Sequence, residues 1–511
     1  MLTFAKGAGL MGIDGFIVTV ECHSTKALPN FEIVGLPDAA VKESKQRVET
    51  AIFNTGIQSA DMSYRINLAP ADMRKEGSAL DLAIAVAILK GRKTVVESCD
   101  LSGKMFIGEL SFSGSLSPVR GVLSMTLAAA ENGIKEVYVP ADCAAEAAVV
   151  KGVTVYPVTT LHSLILHLNG KEPIMPAAEP EFSERVTAGY TLDFADVKGQ
   201  ERVKRALEIA AAGGHNVLLI GPPGSGKSML AKRMPSIMPQ MTFSEAVETT
   251  KIHSASGILK PGESLVRERP FRSPHHTMSA PSLVGGGRIP AAGEVSLAHN
   301  GVLFLDELPE FPKIVTESLR QPMEDGKVTV TRAAGRFTFP SSFMLIAAMN
   351  PCKCGYYGSK AKKCTCKPEE IKKYLSRISG PLLDRMDIQI EVPALDFEEL
   401  SGNVPAEPSS VIRERVCRAR EIANKRFEKD ESSITCNAAM ASREIREYCR
   451  IGDTAKAVLK RAFDAAGMSG RGYDRVLRVA RTIADLEGAE EISAAHVAEA
   501  VQLRTLDRKY F

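Results

Sequence analysis

An eight-residue stretch, GPPGSGKS at residues 221–228, has the composition of a phosphate-binding loop. It follows the apolar segment NVLLI and precedes a helical pattern, the context in which glycine-rich loops turn their backbone N–H groups onto phosphates. Lys227 would reach the β- and γ-phosphates of ATP, and Ser228 would hold Mg²⁺. We therefore expect the nucleotide to be bound by Gly221, Pro222, Pro223, Gly224, Ser225, Gly226, Lys227 and Ser228.

Two acids follow a second apolar segment, GVLFLDE at residues 301–307. Its apolar residues would form a buried strand, with Asp306 and Glu307 emerging at the carboxyl end. Asp306 would bind Mg²⁺ through water, and Glu307 would polarise the attacking water. Acids that simply end a strand in solvent are the alternative. The complete phosphate loop upstream favours hydrolysis of a nucleotide over its storage.

Two further polar residues have the right type to complete such a site. Asn350 ends the next predicted strand and would orient the water between the two motifs; an Asn that only caps a strand is the alternative. Arg385 follows an apolar turn and would reach the γ-phosphate of a neighbouring subunit, stabilising the charge that is transferred. An ion pair with Asp384 or Asp387 is the alternative for this arginine.

A late segment, residues 474–488, carries Arg475, Arg478 and Arg481 at i, i+3 spacing. On a helix this spacing predicts one face that points three cations outward. We expect one of them to contact the phosphates from a helical lid.

Four of the ten cysteines lie within fifteen positions, soon after Asn350. They are spaced as Cys-x-Cys, nine residues, Cys-x-Cys: Cys352, Cys354, Cys364 and Cys366. Four thiolates suit a closed tetrahedral Zn²⁺ site, although Cys-x-x-Cys is the more familiar spacing and free thiols are the alternative. The segment between Asn350 and Arg385 has few large apolar residues with which to form a core of its own. A bound metal would stabilise its fold, because the free energy of metal binding adds to that of folding.

Basic residues occur in two segments that could grip a nucleic-acid backbone. Residues 267–288 combine glycines with Arg267, Arg269, Arg272 and Arg288. Residues 325–340 predict a β-hairpin that carries Lys327, Arg332 and Arg336. Phosphate contacts from such residues would bind DNA without sequence preference, and a solvated hairpin and a structural loop are the alternatives. We interpret the neighbouring His275 and His276 as hydrogen-bonded loop histidines rather than metal ligands.

The totals place these motifs in a multidomain α/β protein. A chain of 511 residues is too long for one core, and three domains are expected. The composition, 44% hydrophobic and 24% charged, is typical of a globular protein in water. The longest apolar runs are too short for a membrane span, and the N-terminus has no export pattern. We therefore expect no membrane contact, a cytoplasmic location and no disulfides.

Several stretches together resemble the YifB/ComM family of magnesium-chelatase-like AAA+ ATPases. They are the segment DFADVKGQERVKRALEIAAAGGHNVLLIGPPGSGKS, the more specific FRSPHHTMSAPSLVGGG, and the shorter LRQPMEDGKVTVTRA and ISGPLLDRMDI. The resemblance covers nearly the whole chain. By resemblance, Asn350 matches the first sensor, Arg385 the trans-acting arginine finger, and Arg478 is the best candidate for the second sensor.

The resemblance also implies a layout: an α+β domain with the fold of Lon-type proteases, a P-loop core with a parallel sheet between helices, and a helical lid. The expected boundaries are 1–171 for the first domain, 172–189 for a linker, 190–396 for the ATPase core, 397–410 for a second linker and 411–511 for the lid.

The function implied by the resemblance is that of a homo-hexameric DNA helicase. Such rings bind single-stranded and branched DNA and drive branch migration during recombination of incoming DNA in natural transformation. The recombinase machinery is a further possible partner. Two rivals stay open: a chaperone-like remodeller of proteins, and the motor subunit of a metal chelatase that inserts Mg²⁺ into a porphyrin. A remodeller would be stimulated by a protein partner and not by DNA.

Proteolysis is opposed by two positions. Lon-type proteases carry a nucleophilic serine and a catalytic lysine, and a serine needs a neighbouring base to attack a peptide. Here Ser78 falls one position early, so that Ala79 occupies the nucleophile's place, and Leu123 stands where the lysine would be. We expect this domain to serve ring assembly or DNA contact.

Overall fold

The computed structural model describes residues 1–57, 62–182, 191–287, 290–332, 335–358, 362–395, 406–428, 434–466, 468–504, 506 and 510. Arg288 and parts of both predicted linkers, residues 183–189 and 397–405, lie outside this set. The chain separates into two compact units, Met1–Arg185 with Thr242–Val266, and Val186–Met241 with Arg267–Phe511.

The first unit is built on a mixed seven-stranded sheet with the order β3-β4-β2-β1-β5-β8-β9. The strands of this unit are β1 (Leu2–Met11), β2 (Asp14–Lys26), β3 (Asn30–Val34), β4 (Met62–Ala69), β5 (Lys104–Phe106), β6 (Glu109–Leu110), β7 (Leu116–Ser117), β8 (Glu136–Pro140) and β9 (Thr154–Val158). Strand β2 pairs antiparallel with β1 and β4, whereas β5, β8 and β9 run parallel to one another. Strands β6 and β7 form a separate short antiparallel pair.

Helices of this unit span Ala39–Asn54, Asp81–Gly91, Val122–Glu131, Ala144–Ala147, Leu161–Leu168 and Phe243–Ala255. The helix Asp81–Gly91 is apolar nearly all round and buried along almost its whole length, as expected of a helix enclosed by a core. It approaches β1 closely, because a Cβ at Gly7 would lie 3.0 Å from the Cβ of Ala83 in this helix. This packing fixes the centre of the unit.

A five-stranded parallel sheet with the order β11-β14-β17-β10-β18 forms the base of the second unit. The strands of this unit are β10 (Val217–Ile220), β11 (Phe271–Arg272), β12 (Gly285–Gly286), β13 (Ala291–Ala292), β14 (Val302–Leu305), β15 (Lys327–Arg332), β16 (Gly335–Pro340), β17 (Met344–Met349) and β18 (Ile388–Glu391). Every residue of β10, β14 and β17 is buried, so these strands are continuous apolar runs, as parallel sheets require. The predicted strands and the parallel α/β core are confirmed.

The helices of the second unit precede, connect and follow these strands. Up to β18 they span Glu201–Gly213, Lys227–Lys232, Met234–Ile237, Ala280–Val284, Glu294–Leu297, Lys313–Ser318, Arg320–Asp325, Pro368–Leu375 and Gly380–Leu383. After it they span Ser409–Glu428, Ser442–Tyr448, Asp453–Ala466, Gly470–Leu486 and Ala494–Gln502, which confirms a helical C-terminal region. One hydrophobic core joins these last helices to the sheet, with Val416 and Val476 in the same cluster as Val217.

The predicted hairpin is also confirmed. Strands β15 and β16 pair antiparallel from Lys327 opposite Pro340 to Arg332 opposite Gly335. Within the part of the chain that the structure describes, no helix has the length and apolar character needed to cross a membrane.

A buried carboxyl group lies in the first unit, on the short helix Ala144–Ala147. Glu146 is 6% exposed and accepts hydrogen bonds from the Ser254 hydroxyl and from the Leu123 backbone N–H. Its Oε2 has no hydrogen-bond partner among the residues that the structure describes. Burial disfavours the charged form and raises the pKa of Glu146 from 4.5 to about 7.

We expect Glu146→Gln to remove a pH dependence from the stability of this unit. Between pH 4.5 and about pH 7, Glu146 keeps a proton in the folded state that it has released in the unfolded chain. The free energy of unfolding therefore falls as the pH rises, by at most about 1.4 kcal/mol per pH unit. Thermal unfolding across this pH range should show that fall in the natural chain and not in Glu146→Gln. Glu131→Gln, at an exposed position, is the control; an equal pH dependence in all three proteins would refute the expectation.

Candidate nucleotide site

Three neighbouring strands of the parallel sheet bring the predicted nucleotide residues together. Strand β17 pairs with β10 on one side and with β14 on the other. The carboxyl ends of parallel strands meet at one edge of a sheet, and the crevice there is where such sheets bind ligands. The phosphate loop after β10, Asn350 after β17, and Asp306 with Glu307 after β14 all lie at this edge.

The phosphate loop has the backbone shape that its glycines permit. Gly224 and Gly226 have φ values of +77° and +89°, in the region that disfavours other residues, and Gly226 is the N-cap of the helix Lys227–Lys232. At Gly221 a Cβ would lie 2.2 Å from the carbonyl oxygen of Val392. Glycine is therefore required by conformation at two positions and by space at a third.

Lys227 connects the loop to the neighbouring strand. Its Nζ donates to the carbonyl oxygens of Gly221 and Pro222, at 2.7 Å and 2.9 Å, and to Oδ1 of Asn350 at 3.2 Å. The residue is 8% exposed, and burial lowers the pKa of its ammonium group. A mostly buried cation beside a glycine loop is suited to binding a phosphate anion.

Ser228 and the first acid lie on the other side of the loop. Ser228 Oγ donates to Asp306 Oδ2 at 2.6 Å, so the two oxygen ligands predicted for Mg²⁺ are in direct contact. Glu307 adopts a left-handed backbone, with φ +53°, and its side chain is largely exposed. Oxygen ligands of this kind, close to a phosphate loop, fit a Mg²⁺ ion that reaches the site with a nucleotide.

A cavity of about 400 Å³ lies among these groups. Its walls are Pro223, Gly224, Ser225, Gly226, Lys227, Ser228, Met229, Asp306, Glu307, Met349 and Asn350. The predicted residues Gly221 and Pro222 do not line it, although their carbonyl oxygens hold Lys227 from behind.

The predicted arginines lie elsewhere. Arg385, Arg475 and Arg478 line a second cavity of about 560 Å³, whose wall includes none of the phosphate-loop residues. This cavity also contains Asn216, at the opposite end of β10 from the loop. The structure therefore does not bring Arg385 and Arg478 together with Lys227 and Glu307 of the same chain.

Three arginines of the second cavity, Arg385, Arg475 and Arg478, are held by contacts within the fold. One Nη of Arg385 donates to the carbonyl oxygen of Pro381 at 2.6 Å. Arg385 pairs with Glu324, and not with either neighbouring aspartate that the sequence offered as an alternative. Arg475 Nε lies 3.3 Å from Asp387 Oδ1, and an Nη atom of Arg478 donates to the carbonyl oxygen of Ala438 at 3.1 Å. Arg385 Nε, one Nη of Arg475 and Arg478 Nε are buried without a hydrogen-bond partner among the described residues.

The expectation that three helix arginines point outward is wrong for Arg475, whose side chain is 12% exposed and pairs with Asp387, and for Arg481. Arg481 is 3% exposed and donates to Asp485 Oδ1 at 3.0 Å and to the carbonyl oxygens of Glu490 and Ala489. Helical spacing predicts which residues share a face but not which part of that face a core covers. Tertiary packing makes Arg481 a structural residue.

Two arginines predicted to meet DNA are likewise used inside the fold. Arg269 donates to the carbonyl oxygens of Pro239 and Asn300, at 2.5 Å and 2.7 Å. Arg272 binds both carboxylate oxygens of Glu294, at 2.6 Å and 2.8 Å. On the hairpin, by contrast, Lys327, Arg332 and Arg336 are exposed.

The four clustered cysteines come together in space. Their sulfur atoms all lie within 4.8 Å of one another, and Cys352 Sγ is 3.4 Å from Cys354 Sγ and 3.7 Å from Cys364 Sγ. Sulfur atoms at the corners of a tetrahedral zinc site are about 3.8 Å apart, given Zn–S bonds of about 2.3 Å. The four thiols and the distances between them therefore fit a Zn²⁺ ion bound by this cysteine cluster.

This cysteine loop also contacts the phosphate loop. Gly355 has φ +86°, and a Cβ there would lie 2.4 Å from Pro223 Cδ. The contact gives the excursion after Asn350 a direct way to shape the nucleotide site, which the sequence did not indicate.

We expect Gly355→Ala to weaken ATP binding by about tenfold, because the new methyl group must displace Pro223. ATP affinity and the KM of hydrolysis would measure it. Gly488→Ala is a matched control, because Gly488 also has a positive φ but no described atom within 4 Å of its Cβ position. Equal effects of the two substitutions would show that the contact with Pro223 does not matter.

Comparison with known proteins finds family matches along most of the chain. Residues 193–400 match the family described as magnesium chelatase, subunit ChlI. Residues 20–143 match the subunit ChlI family of Mg-chelatase, and residues 406–504 match the ChlI C-terminal family.

Individual relatives extend the same similarity. Competence protein ComM of Haemophilus influenzae is 42% identical over 98% of this chain and 96% of its own length. YifB of Escherichia coli K12 is 41% identical over 99% of this chain and 98% of its own. Lon protease 2 of Bacillus subtilis is 30% identical over 27% of this chain. Together with the fold and the nucleotide site, these matches show that the chain belongs to the YifB/ComM family of magnesium-chelatase-like AAA+ ATPases.

Proposed function

We propose that this protein is an ATP-driven ring motor that moves branched DNA during recombination of incoming DNA. The observation that carries the proposal is the end-to-end similarity to a competence protein, since competence is the state in which bacteria take up DNA. The nucleotide site supports the ATP-driven part. The basic hairpin supports the DNA part.

Each residue of the nucleotide site has one role in this proposal. The loop Gly221–Ser228 wraps the phosphates, and Lys227 turns its ammonium group from the loop carbonyls to the β- and γ-phosphates. Ser228 and Asp306 would hold Mg²⁺, which would supply positive charge to neutralise the phosphates. Glu307 polarises the attacking water, and the Asn350 amide orients it.

The arginines would complete the site of a neighbouring subunit. Arg385, Arg475 and Arg478 share one cavity of this chain, apart from its own phosphate loop. An arginine that stabilises the transferring phosphoryl group can be supplied in trans. A closed ring of identical subunits presents this arginine-lined surface to the loop of the next subunit, and a hexamer is the ring that we propose.

DNA contact is assigned to the hairpin β15–β16. Its exposed Lys327, Arg332 and Arg336 would bind phosphates without reading bases, which suits a motor that must move along any sequence. Arg269 and Arg272 are excluded from this role by their internal hydrogen bonds.

The first unit is proposed to support ring assembly or DNA contact without cleaving peptides. Ser78 Oγ is hydrogen-bonded to Glu109, and Lys75 Nζ is held by the carbonyl oxygens of Pro70 and Met73. Leu123, at the place of the catalytic lysine, is fully buried. No described lysine amine is thus hydrogen-bonded to Ser78 as a base would be.

Lys227→Ala and Glu307→Gln should each lower ATP hydrolysis by about a hundredfold or more and abolish movement of a labelled four-way DNA junction. Glu310→Gln is the control, because this acid pairs with Arg377 at the surface. ATP hydrolysis that DNA does not stimulate, without junction movement, would favour a protein remodeller. Metal insertion into a porphyrin would favour a chelatase motor.

Mixing inactive variants tests whether Arg385 acts in trans. Arg385→Ala subunits keep an intact loop, and Lys227→Ala subunits keep the arginine, so an equal mixture should regain about a quarter of the sites of a natural ring. A mixture of Lys227→Ala and Glu307→Gln should regain nothing, because both residues serve the same chain's site. Equal failure of the two mixtures would place Arg385 in its own subunit's reaction.

The cysteine cluster is proposed to hold one structural Zn²⁺. Purified protein should contain about one zinc ion per chain, and serine at Cys352, Cys354, Cys364 and Cys366 should remove the metal and lower the thermal stability. Serine at Cys99 and Cys417, which lie outside the cluster, should change neither. Metal-free natural protein would show that the four are free thiols.

A further inference from the structure

The cysteine loop, residues 351–368, has an unbalanced charge. It contains five lysines and no aspartate or glutamate. A Zn²⁺ ion bound by four thiolates has a net charge of −2, so the lysines exceed what the proposed metal site needs by three positive charges. This surplus indicates a second role for the lysines, as partners of a negatively charged molecule.

Four of these lysines belong to the described residues, and all four are exposed. They are Lys353, Lys362, Lys363 and Lys367, whereas Lys360 lies outside the described residues. Within the part of the chain that the structure describes, none of the four ammonium groups pairs with a carboxylate. Their charge is therefore available to a ligand.

The cysteine cluster gathers these cations from two arms of the loop. The four sulfur atoms lie within 4.8 Å of one another. Lys353 stands between the two cysteines of the first arm, and Lys363 directly precedes the second pair. Lysines that are ten residues apart in sequence thus belong to one small surface.

Two tyrosines lie on the same loop. Tyr357 is 38% exposed, and its ring meets the buried Tyr510 edge-on, with centroids 6.2 Å apart. Tyr510 is itself fixed, because its hydroxyl donates to Glu391 Oε1 at 3.2 Å. Lys362 Nζ lies 5.0 Å from the centroid of the Tyr356 ring, in a cation–π contact. The loop therefore combines its cations with an aromatic ring that is held in place and partly open to solvent.

Cations beside an exposed aromatic ring are the means by which proteins bind single-stranded nucleic acid without sequence preference. An acidic protein surface would use the lysines but not the ring, and a duplex does not offer the faces of its bases. We propose that the cysteine loop is a second DNA-binding surface, which holds the phosphates of a single strand with Lys353, Lys362 and Lys363 and stacks a base on Tyr357. This inference rests on the DNA motor proposed above.

The surface lies next to the nucleotide site. Gly355, which directly precedes the two tyrosines, approaches Pro223 of the phosphate loop so closely that a Cβ would clash with it. None of the three lysines lines the nucleotide cavity. Removing them should therefore reduce the stimulation of ATP hydrolysis by single-stranded DNA and leave the DNA-free kcat unchanged.

The test measures binding of a fluorescein-labelled poly(dT) oligonucleotide by fluorescence anisotropy over a range of NaCl concentrations. Lys353→Ala, Lys362→Ala and Lys363→Ala in one chain should raise the Kd roughly tenfold or more. The slope of log Kd against log [NaCl] should fall by about two, because each phosphate contact with a single strand contributes about 0.7. Tyr357→Ala should raise the Kd for poly(dT) about fivefold and leave the Kd for a duplex of the same length unchanged, and Tyr357→Phe should restore the natural value, since its ring still stacks.

The matched control is the triple variant Lys425→Ala, Lys456→Ala and Lys460→Ala, which removes the same charge from exposed positions on the C-terminal helices. It should change neither the Kd nor the slope, and both triple variants should keep the zinc content, thermal stability and assembly size of the natural protein. If the cysteine-loop variant binds poly(dT) as the control does, the inference is overturned. A loss of binding that accompanies a smaller assembly also overturns it, because the loop is then a contact between subunits.

Failure of the proposed function would look different. If only Arg332→Ala with Arg336→Ala loses poly(dT), the DNA motor stands on the hairpin alone and the cysteine loop has no part in it. Natural protein that binds no poly(dT) at any salt concentration would overturn the proposed DNA motor itself.

Discussion

The order of three parallel strands is the constraint on which the nucleotide site depends. Because β17 lies between β10 and β14, the loop, the amide and the acids that follow these strands meet at one edge. All three strands are buried, so apolar burial fixes their pairing, and polar side chains appear where each strand leaves the core. Two hydrogen bonds, Lys227 to Asn350 and Ser228 to Asp306, then connect the segments that follow these three strands.

The same core decides where the C-terminal arginines lie. The helix Gly470–Leu486 packs its apolar side chains into the cluster that also contains the sheet. This packing buries Arg481 beside Asp485 and leaves Arg475 and Arg478 around the cavity of Arg385. A single chain thus has the phosphate loop and the acids on one cavity and the arginines on another. In a ring of identical subunits, the arginines of one subunit would lie beside the phosphate loop of the next.

Contacts behind the nucleotide site give it routes to the rest of the second unit. The cysteine loop touches Pro223 through Gly355, and the segment before Ala280–Val284 brings His276 to Glu307. The close approach of Gly355 to Pro223 leaves little room for compression, so a displacement of the cysteine loop would reach the phosphate loop. A metal in the cysteine cluster would stiffen this route.

The sequence by itself determined the elements whose signals are local. Glycine spacing in the phosphate loop, apolar strands followed by acids, the hairpin and the helical C-terminus are set by neighbouring residues, and the structure has all of them. Only the tertiary structure decided what depends on distant segments. Arg269 and Arg272 look like exposed cations in the sequence, but Asn300 and Glu294, more than twenty residues further on, accept their hydrogen bonds. The partners of Arg481 are close in sequence, but it is the packed core that buries this side chain. The meeting of His276 with Glu307, and the separation of Arg385 from Lys227, follow from how the strands and helices pack, because residues far apart in sequence meet only through the order of strands in the sheet.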